Sequence, residues 1–516
     1  MASDLERSLR FSTIDGVFAN AMGTITAGLF LTGFIIALGG SSSHIGAASS
    51  LPLFANVFQL IASYLIERTG AKKKICLVSC LVSRSTWLLF AALPLFRIYF
   101  NLHGETLIWS AISVYFLATA AASFAGIAWN SWMRDLVPEQ RRGKYFGMRS
   151  AVTSLAGLVA GIVFGRFLDV MKQPGENYYL FAYTILFSFA FAFGMASSYF
   201  LSKVEATDVA PAEKVSVAGF VRMLTLPLGD RPFRRAMIVN IAWLLSCQLS
   251  SPFFDLFILR DLKVSFTMMA IYNTINLAAN ISMFSVWGRL SDHFGNKPVL
   301  LITTTLGALI PLIMVFANQG NAWLLVPLFE FSLGLVWSGI NLTTSNIFLK
   351  LSPAEHNSIF LSLNSALNGL LTALGPAIGG FIAYRLSEKT FEININYLIR
   401  PEGIGVNFSN SFTNLQVLFL ISVMFRVASA YFFRFVEEPR SRPFKNLVRI
   451  INHGRGFGPA VLFTPLYDYI SIGAETLGRI EEGVSSRVRK LRDSISGNRT
   501  EKTKKNIKEN EEKGKD

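Results

Sequence analysis

Several acidic and amide side chains of this 516-residue chain lie within apolar stretches, where polar groups are costly. Glu330 stands out because it shares one helical face with Trp337 and Asn341. A carboxyl in low-dielectric surroundings can take up and release a proton near neutral pH, as proton coupling requires. The alternatives are a carboxyl that is hydrogen-bonded to a neighbouring helix, or one that lies near the outer surface and is solvated.

Other polar residues in apolar stretches also fall on shared helical faces, as expected of the wall of a cavity. The candidate substrate or proton residues are Glu330, Asp15, Asp255, Asn240, Trp243, Trp337, Asn341, Asn273, Asn276, Asn280, Arg84 and Arg426.

Each of these candidates also has a purely structural interpretation. Asp15 can cap the first helix, and Asp255 can form an ion pair with Arg260 at the outer surface. Arg84 and Arg426 can bind an anionic substrate, or pair with one of the acids inside the apolar stretches. The asparagine stripes can also form hydrogen bonds between helices instead of binding a ligand.

The elements that carry these residues are long apolar runs of about 20 to 28 residues, which is the length of a membrane-spanning helix. Hydrophobic residues make up 52% of the chain and charged residues only 16%, which disfavours a soluble enzyme. The runs lack the alternation of barrel strands and therefore predict an all-α polytopic membrane protein. The predicted spans are 12–39, 45–66, 75–98, 105–130, 145–168, 178–202, 236–259, 265–288, 298–318, 322–349, 357–384 and 413–435.

Positive charge predicts the orientation of the chain and its division into halves. One alternate set of links holds 17 Lys and Arg residues and the opposite set holds 8, so the first set and both termini are predicted to be cytoplasmic. The net charge of +15 is thereby assigned to topology and not to nucleic-acid binding. The predicted domains are a six-helix bundle at 1–202, a cytoplasmic linker at 203–235, a second bundle at 236–436 and a basic tail at 437–516.

Within the tail, apolar residues from Leu477 to Leu491 fall at helical spacing among basic residues. This pattern predicts an amphipathic helix that binds the anionic inner leaflet, or one that packs on the underside of the bundles. The lysine-rich end of the tail, with interspersed acids, is predicted to be disordered.

Two pairs of links repeat between the halves, at 63–73 and 288–297, and at 137–146 and 352–361. Two related six-helix halves are a repeat pattern of secondary transporters. In the first pair an acid is followed by glycine three residues later and by lysine two residues beyond: Glu67, Gly70 and Lys72, then Asp292, Gly295 and Lys297.

These links resemble the major facilitator superfamily, whose motif Gly-x-Leu-x-Asp-Arg-x-Gly-Arg-Lys follows the second and eighth helices. The second copy keeps Gly288, Leu290, Asp292, Gly295 and Lys297, with His293 and Asn296 in place of two arginines. The first copy keeps Leu65, Arg68, Gly70 and Lys72, but has Ser63 for Gly, Glu67 for Asp and Ala71 for Arg. The link from Arg134 and Asp135 through Arg142 and Gly143 also resembles that family, and the resemblance spans about residues 10–436.

The resemblance implies twelve helices in two pseudo-symmetric bundles, a cavity near the bilayer midplane, and a latch that joins the cytoplasmic ends of the halves. Glu67 and Asp292 would face the positive N-termini of the eleventh and fifth helices across the pseudo-two-fold axis. The alternative is that these charges only enforce topology. The predicted latch residues are Glu67, Arg68, Gly70, Lys72, Arg134, Asp135, Arg142, Gly143, Gly288, Asp292, Gly295 and Lys297.

The sequence thus predicts a secondary transporter that moves a small solute by alternating access, coupled to an ion for which the proton is the leading choice. No phosphate-binding loop for ATP and no catalytic or metal-binding cluster occurs, so no enzyme and no cofactor are expected. Drug export and metabolite uptake stay open, as does a sensor or scaffold that acts through its tail. The protein is expected to be a monomer in a plasma membrane, and the bacterial inner membrane is the default assumption.

Overall fold

A computed structural model describes the chain from residue 2 to residue 438 with a few gaps. The described ranges are 2–100, 104–173, 175–206, 225–353, 357–387, 391–397 and 406–438. All of them lie in one compact unit, Met1–Phe444. The predicted amphipathic helix of the tail and most of the predicted linker lie outside the described residues.

Six helical spans form the first half, and two of them are interrupted. They are α1 (Ala2–Thr26 and Gly28–Ala37), α2 (Ser42–Ala55 and Phe58–Thr69), α3 (Lys72–Phe100), α4 (Gly104–Leu136), α5 (Glu139–Lys172) and α6 (Glu176–Ser202).

Six more form the second half: α7 (Arg231–Gln248 and Ser251–Leu256, extended by a π-helical turn at Phe257–Asp261), α8 (Phe266–Phe294), α9 (Asn296–Leu309 and Pro311–Val315), α10 (Ala322–Leu351), α11 (Asn357–Thr372 and Leu374–Arg385) and α12 (Asn414–Phe432, with a 3-10 turn at Phe433–Phe435). The start of α7 differs from its predicted position at residue 236. Asp230 caps the helix by accepting a hydrogen bond from the Phe233 amide at 2.8 Å, which brings charged residues into the first turns.

The prediction of an all-α membrane protein is confirmed. Eleven helices among the described residues are long and apolar enough to cross a membrane. The remaining predicted span is α8, whose 29 residues are about 43 Å long. Its three asparagines lower its hydropathy and keep it outside the eleven. One feature was not predicted: a hairpin in the connection between α11 and α12, which the charge pattern predicts to be an outer loop, pairs strand β1 (Phe391–Tyr397) with antiparallel strand β2 (Val406–Phe412).

Aromatic clusters fix the helices within each half. In the first half the Phe34 ring of α1 lies 6.0 Å from Phe90 of α3 and 5.0 Å from Phe187 of α6. In the second half the Phe254 ring of α7 lies 4.7 Å from Phe329 of α10 and 4.5 Å from Phe419 of α12. Because aromatic pairs add to the stability that area burial gives, each half is a well-packed bundle.

The two halves approach most closely through small residues. A Cβ added to Gly46 of α2 would lie 2.4 Å from the Pro376 carbonyl oxygen of α11. A Cβ added to Gly165 of α5 would lie 3.1 Å from the Phe266 backbone of α8. Small residues let helix backbones come together in a membrane. Both contacts lie toward the end of the bundle that the charge pattern predicts to be external.

Candidate functional site

A cavity of about 400 Å³, which we call the acid cavity, lies between the two halves. It is lined by residues of α1, α5, α7 and α8, including Thr24, Asp255 and Asn273. The interruption of α1 forms part of its wall: Ala27 is extended and Gly28 has φ +50°, a left-handed conformation that glycine adopts without strain. A broken helix beside a central cavity is a recurrent way to build transporter binding sites.

Two carboxyl groups lie at the acid cavity or just behind it. Asp255 lines the cavity, and a Cβ on Gly28 would lie 3.8 Å from one of its carboxylate oxygens. Glu330 of α10 is buried, accepts a hydrogen bond from the Asn276 side chain of α8 at 3.0 Å, and is near enough to Asp255 to interact electrostatically. For Glu330 the observed contact is the hydrogen bond to a neighbouring helix that the sequence left as an alternative. Arg260 pairs with Asp261 at 3.0 Å and not with Asp255.

A second cavity of about 560 Å³, which we call the amide cavity, lies among α2, α7, α10 and α11. No charged side chain is among the described residues that line it. Trp337 and four hydroxyl side chains contribute to its wall. Its amide side chains are Asn56, Asn240, Gln248, Asn341, Asn364 and Asn368.

The three asparagines that form a stripe on α8 lie in different surroundings. Asn273 lines the acid cavity and Asn276 bonds to Glu330, whereas Asn280 is half-buried and lines neither cavity. The close packing of α8 on α10 explains this division, because a Cβ on Gly334 would lie 2.2 Å from the Asn276 carbonyl oxygen.

Asp15 and Arg84 are brought together inside the first half, away from both cavities. The Asp15 carboxylate accepts a hydrogen bond from Ser197 and lies 3.6 Å from guanidinium nitrogens of both Arg84 and Arg149. Arg149 of α5 also stacks over the Trp129 ring at 4.3 Å. A buried charge needs such partners, and here they join α1, α3, α5 and α6.

Arg426 and Trp243 are also held in the core of their half. The Arg426 guanidinium donates to the Cys247 carbonyl at 3.1 Å and to the Ser250 hydroxyl at 2.9 Å, which ties α12 to the interruption of α7. Trp243 is 1% exposed and packs toward Gly307 of α9. Neither residue lines the acid or the amide cavity, because both point into the bundle that surrounds them.

Asp169 was not singled out from the sequence, yet it joins the two halves. From α5 its carboxylate accepts hydrogen bonds from the Phe266 and Thr267 amides at the start of α8, both at 2.9 Å, and from the Thr267 hydroxyl. This one residue thus makes three hydrogen bonds between the halves, at the predicted outer end. A sequence signal for this contact exists: Asp169 is an acid near the end of the fifth span, and Ser265-Phe266-Thr267 begins the eighth helix. A carboxylate is stabilised beside the positive N-terminus of a helix.

The predicted latch residues lie in the links, as expected, but the contacts described there are within each half. Lys72 pairs with Asp135, and Arg142 donates to the Arg134 carbonyl at 2.8 Å. Asp292 is exposed and makes no hydrogen bond or ion pair with any residue in the described part of the chain. Its expected partner, the start of α5, does not contact it in this way. The side chain of Glu67 lies outside the described residues.

The remaining latch residues shape the turns and surfaces of the same links. Gly70 has φ +67° and Gly295 has φ +94°, so each ends a helix in a conformation that favours glycine. The Lys297 amide donates to Glu438. Arg68, Gly143 and Gly288 make no hydrogen bond or ion pair with the opposite half within the described part of the chain.

Glu438 forms a contact at the predicted cytoplasmic end that was not foreseen from the sequence. It accepts hydrogen bonds from the Asn296 and Lys297 amides at 3.1 and 2.7 Å and from the Lys350 ammonium at 2.9 Å. Burial alone would raise the pKa of the Glu438 carboxyl, but these donors outweigh burial and hold its pKa below the ordinary value. Glu438 thereby caps α9 and ties it to α10.

Comparisons with known proteins agree with this architecture. Residues 236–467 match the sequence model of the Major Facilitator Superfamily. A probable peptide/nitrate transporter of Arabidopsis thaliana is 33% identical over 97 residues, 19% of each chain. An uncharacterized MFS-type transporter of Bacillus subtilis, YfiU, is 30% identical over 109 residues, 21% of this chain and 20% of the relative. The chain thus spans about a fifth of the length of the curated relatives it matches.

Solved structures match over a much larger part of the chain. The crystal structure of a point mutant of the nucleoside transporter NupG superimposes with a TM-score of 0.60 at 14% sequence identity, covering 84% of this chain and all of that one. At this identity the likeness shows the fold alone.

Proposed function

We propose that this chain, which has the fold of the major facilitator superfamily and matches its sequence model over residues 236–467, is a secondary active transporter that moves a small solute by alternating access. It is an integral, multi-pass membrane protein. The observation that carries the proposal is a pair of cavities at the junction of two bundles that are hydrogen-bonded to each other at one end.

In this proposal Asp169 closes the predicted outer end, and the cytoplasmic links come together only when that contact is broken. The carboxylate of Asp169 bonds to the free amides of an α8 terminus, a contact that is either made or lost as a unit. In this state Asp292 and Arg142 make no hydrogen bond or ion pair with described residues of the opposite half. We expect them to form the latch in the opposite state, when the cavities face outward.

We propose further that Asp255 and Glu330 carry the coupling proton. Two nearby carboxyls in a low-dielectric site do not readily ionise together, so one proton is expected to be held by the pair. Asp255 is the member that lines the cavity, and Glu330 is buried behind it. A solute that enters the acid cavity can thereby exchange with, or travel beside, the proton on Asp255.

The test begins with a ligand found by a thermal-shift screen, since a ligand that binds the folded state raises the apparent melting temperature. Its uptake is then measured in proteoliposomes, with and without a pH gradient. Asp255→Asn and Glu330→Gln should lose gradient-driven accumulation but retain exchange of labelled for unlabelled ligand. Asp261→Asn, which removes a carboxylate paired with Arg260 outside the acid cavity, is the matched control and should accumulate ligand normally.

Accumulation by the double variant Asp255→Asn, Glu330→Gln that still responds to the pH gradient would remove the coupling role. Absence of both exchange and accumulation in the wild-type protein for every ligand that binds would contradict the transporter itself.

A further inference from the structure

We propose that the amide cavity binds a neutral, polyhydroxylated ring compound, the chemistry shared by free sugars and nucleosides. This inference rests on the proposed function and names the class of its substrate. Three observations support it. The described wall carries no charged side chain, two of its polar atoms have no hydrogen-bond partner among the described residues, and it combines flat apolar surface with hydrogen-bonding groups.

The wall of the amide cavity favours an uncharged occupant. Six amide and four hydroxyl side chains face it, and none of the described lining residues is charged. An ion that entered would give up its hydration without a counter-charge, which is strongly unfavourable. Amides and hydroxyls both donate and accept hydrogen bonds, so they suit a solute whose own groups do the same.

Two polar atoms of the wall are buried and have no hydrogen-bond partner among the described residues. They are Oδ1 of Asn364 and Oγ1 of Thr344, which lie on α11 and α10. Asn364 is only 9% exposed, so solvent does not satisfy it well. Buried polar atoms are nearly always paired in folded proteins, and an exception at the wall of a cavity indicates a place where a ligand supplies the missing partner.

Three of the neighbouring amides, those of Asn56, Asn240 and Asn368, take part in hydrogen bonds of their own. The Asn240 side chain donates to Asn368 Oδ1 at 3.4 Å, and Asn56 Oδ1 accepts a hydrogen bond from the Gln59 side chain at 2.9 Å. These bonds hold the wall in shape from α2, α7 and α11. The cavity thus combines a preformed amide framework with two atoms, Asn364 Oδ1 and Thr344 Oγ1, that have no partner among the described residues and that can each accept a hydrogen bond from a hydroxyl group.

The size and the apolar surfaces of the cavity fit a ring. A volume of about 560 Å³ lies within the usual range for small-molecule sites. Trp337 presents a half-buried indole, and Leu244 and Ile340 add aliphatic surface. Ring compounds with apolar faces and hydroxylated edges use both kinds of surface, as flexible chains and inorganic ions do not.

Purified full-length protein is tested by thermal shift and calorimetry against glucose, uridine, glucose 6-phosphate and uridine monophosphate. We expect at least one of the two neutral compounds to raise the melting temperature and its phosphorylated partner to do so far less. The two neutral arms distinguish a sugar from a nucleoside.

Asn364→Leu, which keeps the size of the side chain and removes its amide, should weaken binding of the neutral ligand roughly five- to tenfold. Asn280→Leu, an equivalent change on α8 that does not line the cavity, should leave the affinity unchanged. A second measurement, the melting temperature without ligand, shows whether each variant is folded.

Equal or tighter binding of the phosphorylated compounds would overturn the inference, as would an unchanged affinity in a folded Asn364→Leu variant. So would the absence of binding by both neutral compounds. These outcomes are separable from the transporter proposal, because a charged solute whose gradient-driven uptake depends on Asp255 and not on Asn364 would leave transport standing and remove only the substrate class. Binding of a neutral compound that is never transported would leave the inferred ligand class standing and would contradict the transporter proposal.

Discussion

Replacing Asp169 by asparagine should shift the protein toward the state that is open at the predicted outer end. The carboxylate accepts two backbone amides at 2.9 Å and one hydroxyl, and these bonds link α5 of one half to α8 of the other. Asparagine keeps the shape of the side chain but loses the charge and one acceptor oxygen.

The size of the shift follows from these three hydrogen bonds. Each is expected to contribute a net of about 0.5–1 kcal/mol, since water replaces the donors when the halves separate. Because asparagine keeps one acceptor oxygen, one or two of the three bonds are lost, which amounts to about 0.5–2 kcal/mol and changes the ratio of the two states by roughly two- to thirtyfold. The attraction between the Asp169 charge and the positive N-terminus of α8 adds to the free energy of these hydrogen bonds, and salt weakens that attraction.

The populations can be measured by electron spin resonance distances between labels at Glu176 and Gly320, which are exposed near the outer ends of the two halves. The buried Cys76, Cys80 and Cys247 are first replaced so that labelling is specific. Asp230→Asn is the matched control. It removes a carboxylate that caps α7 within one half, so it should leave the distance distribution unchanged.

A distance distribution for Asp169→Asn that coincides with that of the wild-type protein would refute the role of Asp169 as the outer contact. A shift of equal size in Asp230→Asn would show that the change reflects general loosening.

Four further changes, at other contacts of the structure, have expected outcomes. Gly46→Leu should hold the outer ends apart and lengthen the same distance, because its side chain collides with the Pro376 carbonyl. Arg84→Ala should lower the melting temperature, but by less than the about 3–5 kcal/mol of stability that a buried charge without any partner costs, because Arg149 and Ser197 still contact Asp15. Glu438→Gln should lower the melting temperature above pH 4.5, and the difference from wild type should vanish as acidification protonates Glu438. Deletion of residues 440–516 should leave ligand exchange intact, because both cavities and the Asp169 contact are built from earlier residues.

Much of the fold could be predicted from the sequence because hydropathy and charge act locally. The twelve spans and the paired links were identified this way, and the resemblance to the major facilitator superfamily is confirmed by the family match and the fold. The interruption at Ala27 and Gly28 could not be predicted, since a glycine in an apolar run is common and its backbone conformation depends on packing against the other half.

The candidate site was predicted in part. Asp255, Asn273, Asn240, Trp337 and Asn341 do line cavities. Polarity inside a span shows only that a side chain needs a partner, and does not show whether that partner is a ligand or another helix.

Arg84 and Arg426 illustrate this limit, because both find their partners within one bundle. Asp169 was missed for the opposite reason. It lies one turn from the end of α5, where a carboxylate can be solvated at little free-energy cost. Its role becomes visible only when the structure places the start of α8 beside it.

Alternating access can be measured as label distances at both ends of the same protein while ligand and pH are varied. One pair reports the outer ends, at Glu176 and Gly320, and a second reports the cytoplasmic links, at Arg68 and Asp292. We expect every condition that lengthens the outer distance to shorten the distance between the predicted cytoplasmic links. Distances that lengthen together, or that stay fixed under ligand, under pH change and in Asp169→Asn, would contradict it.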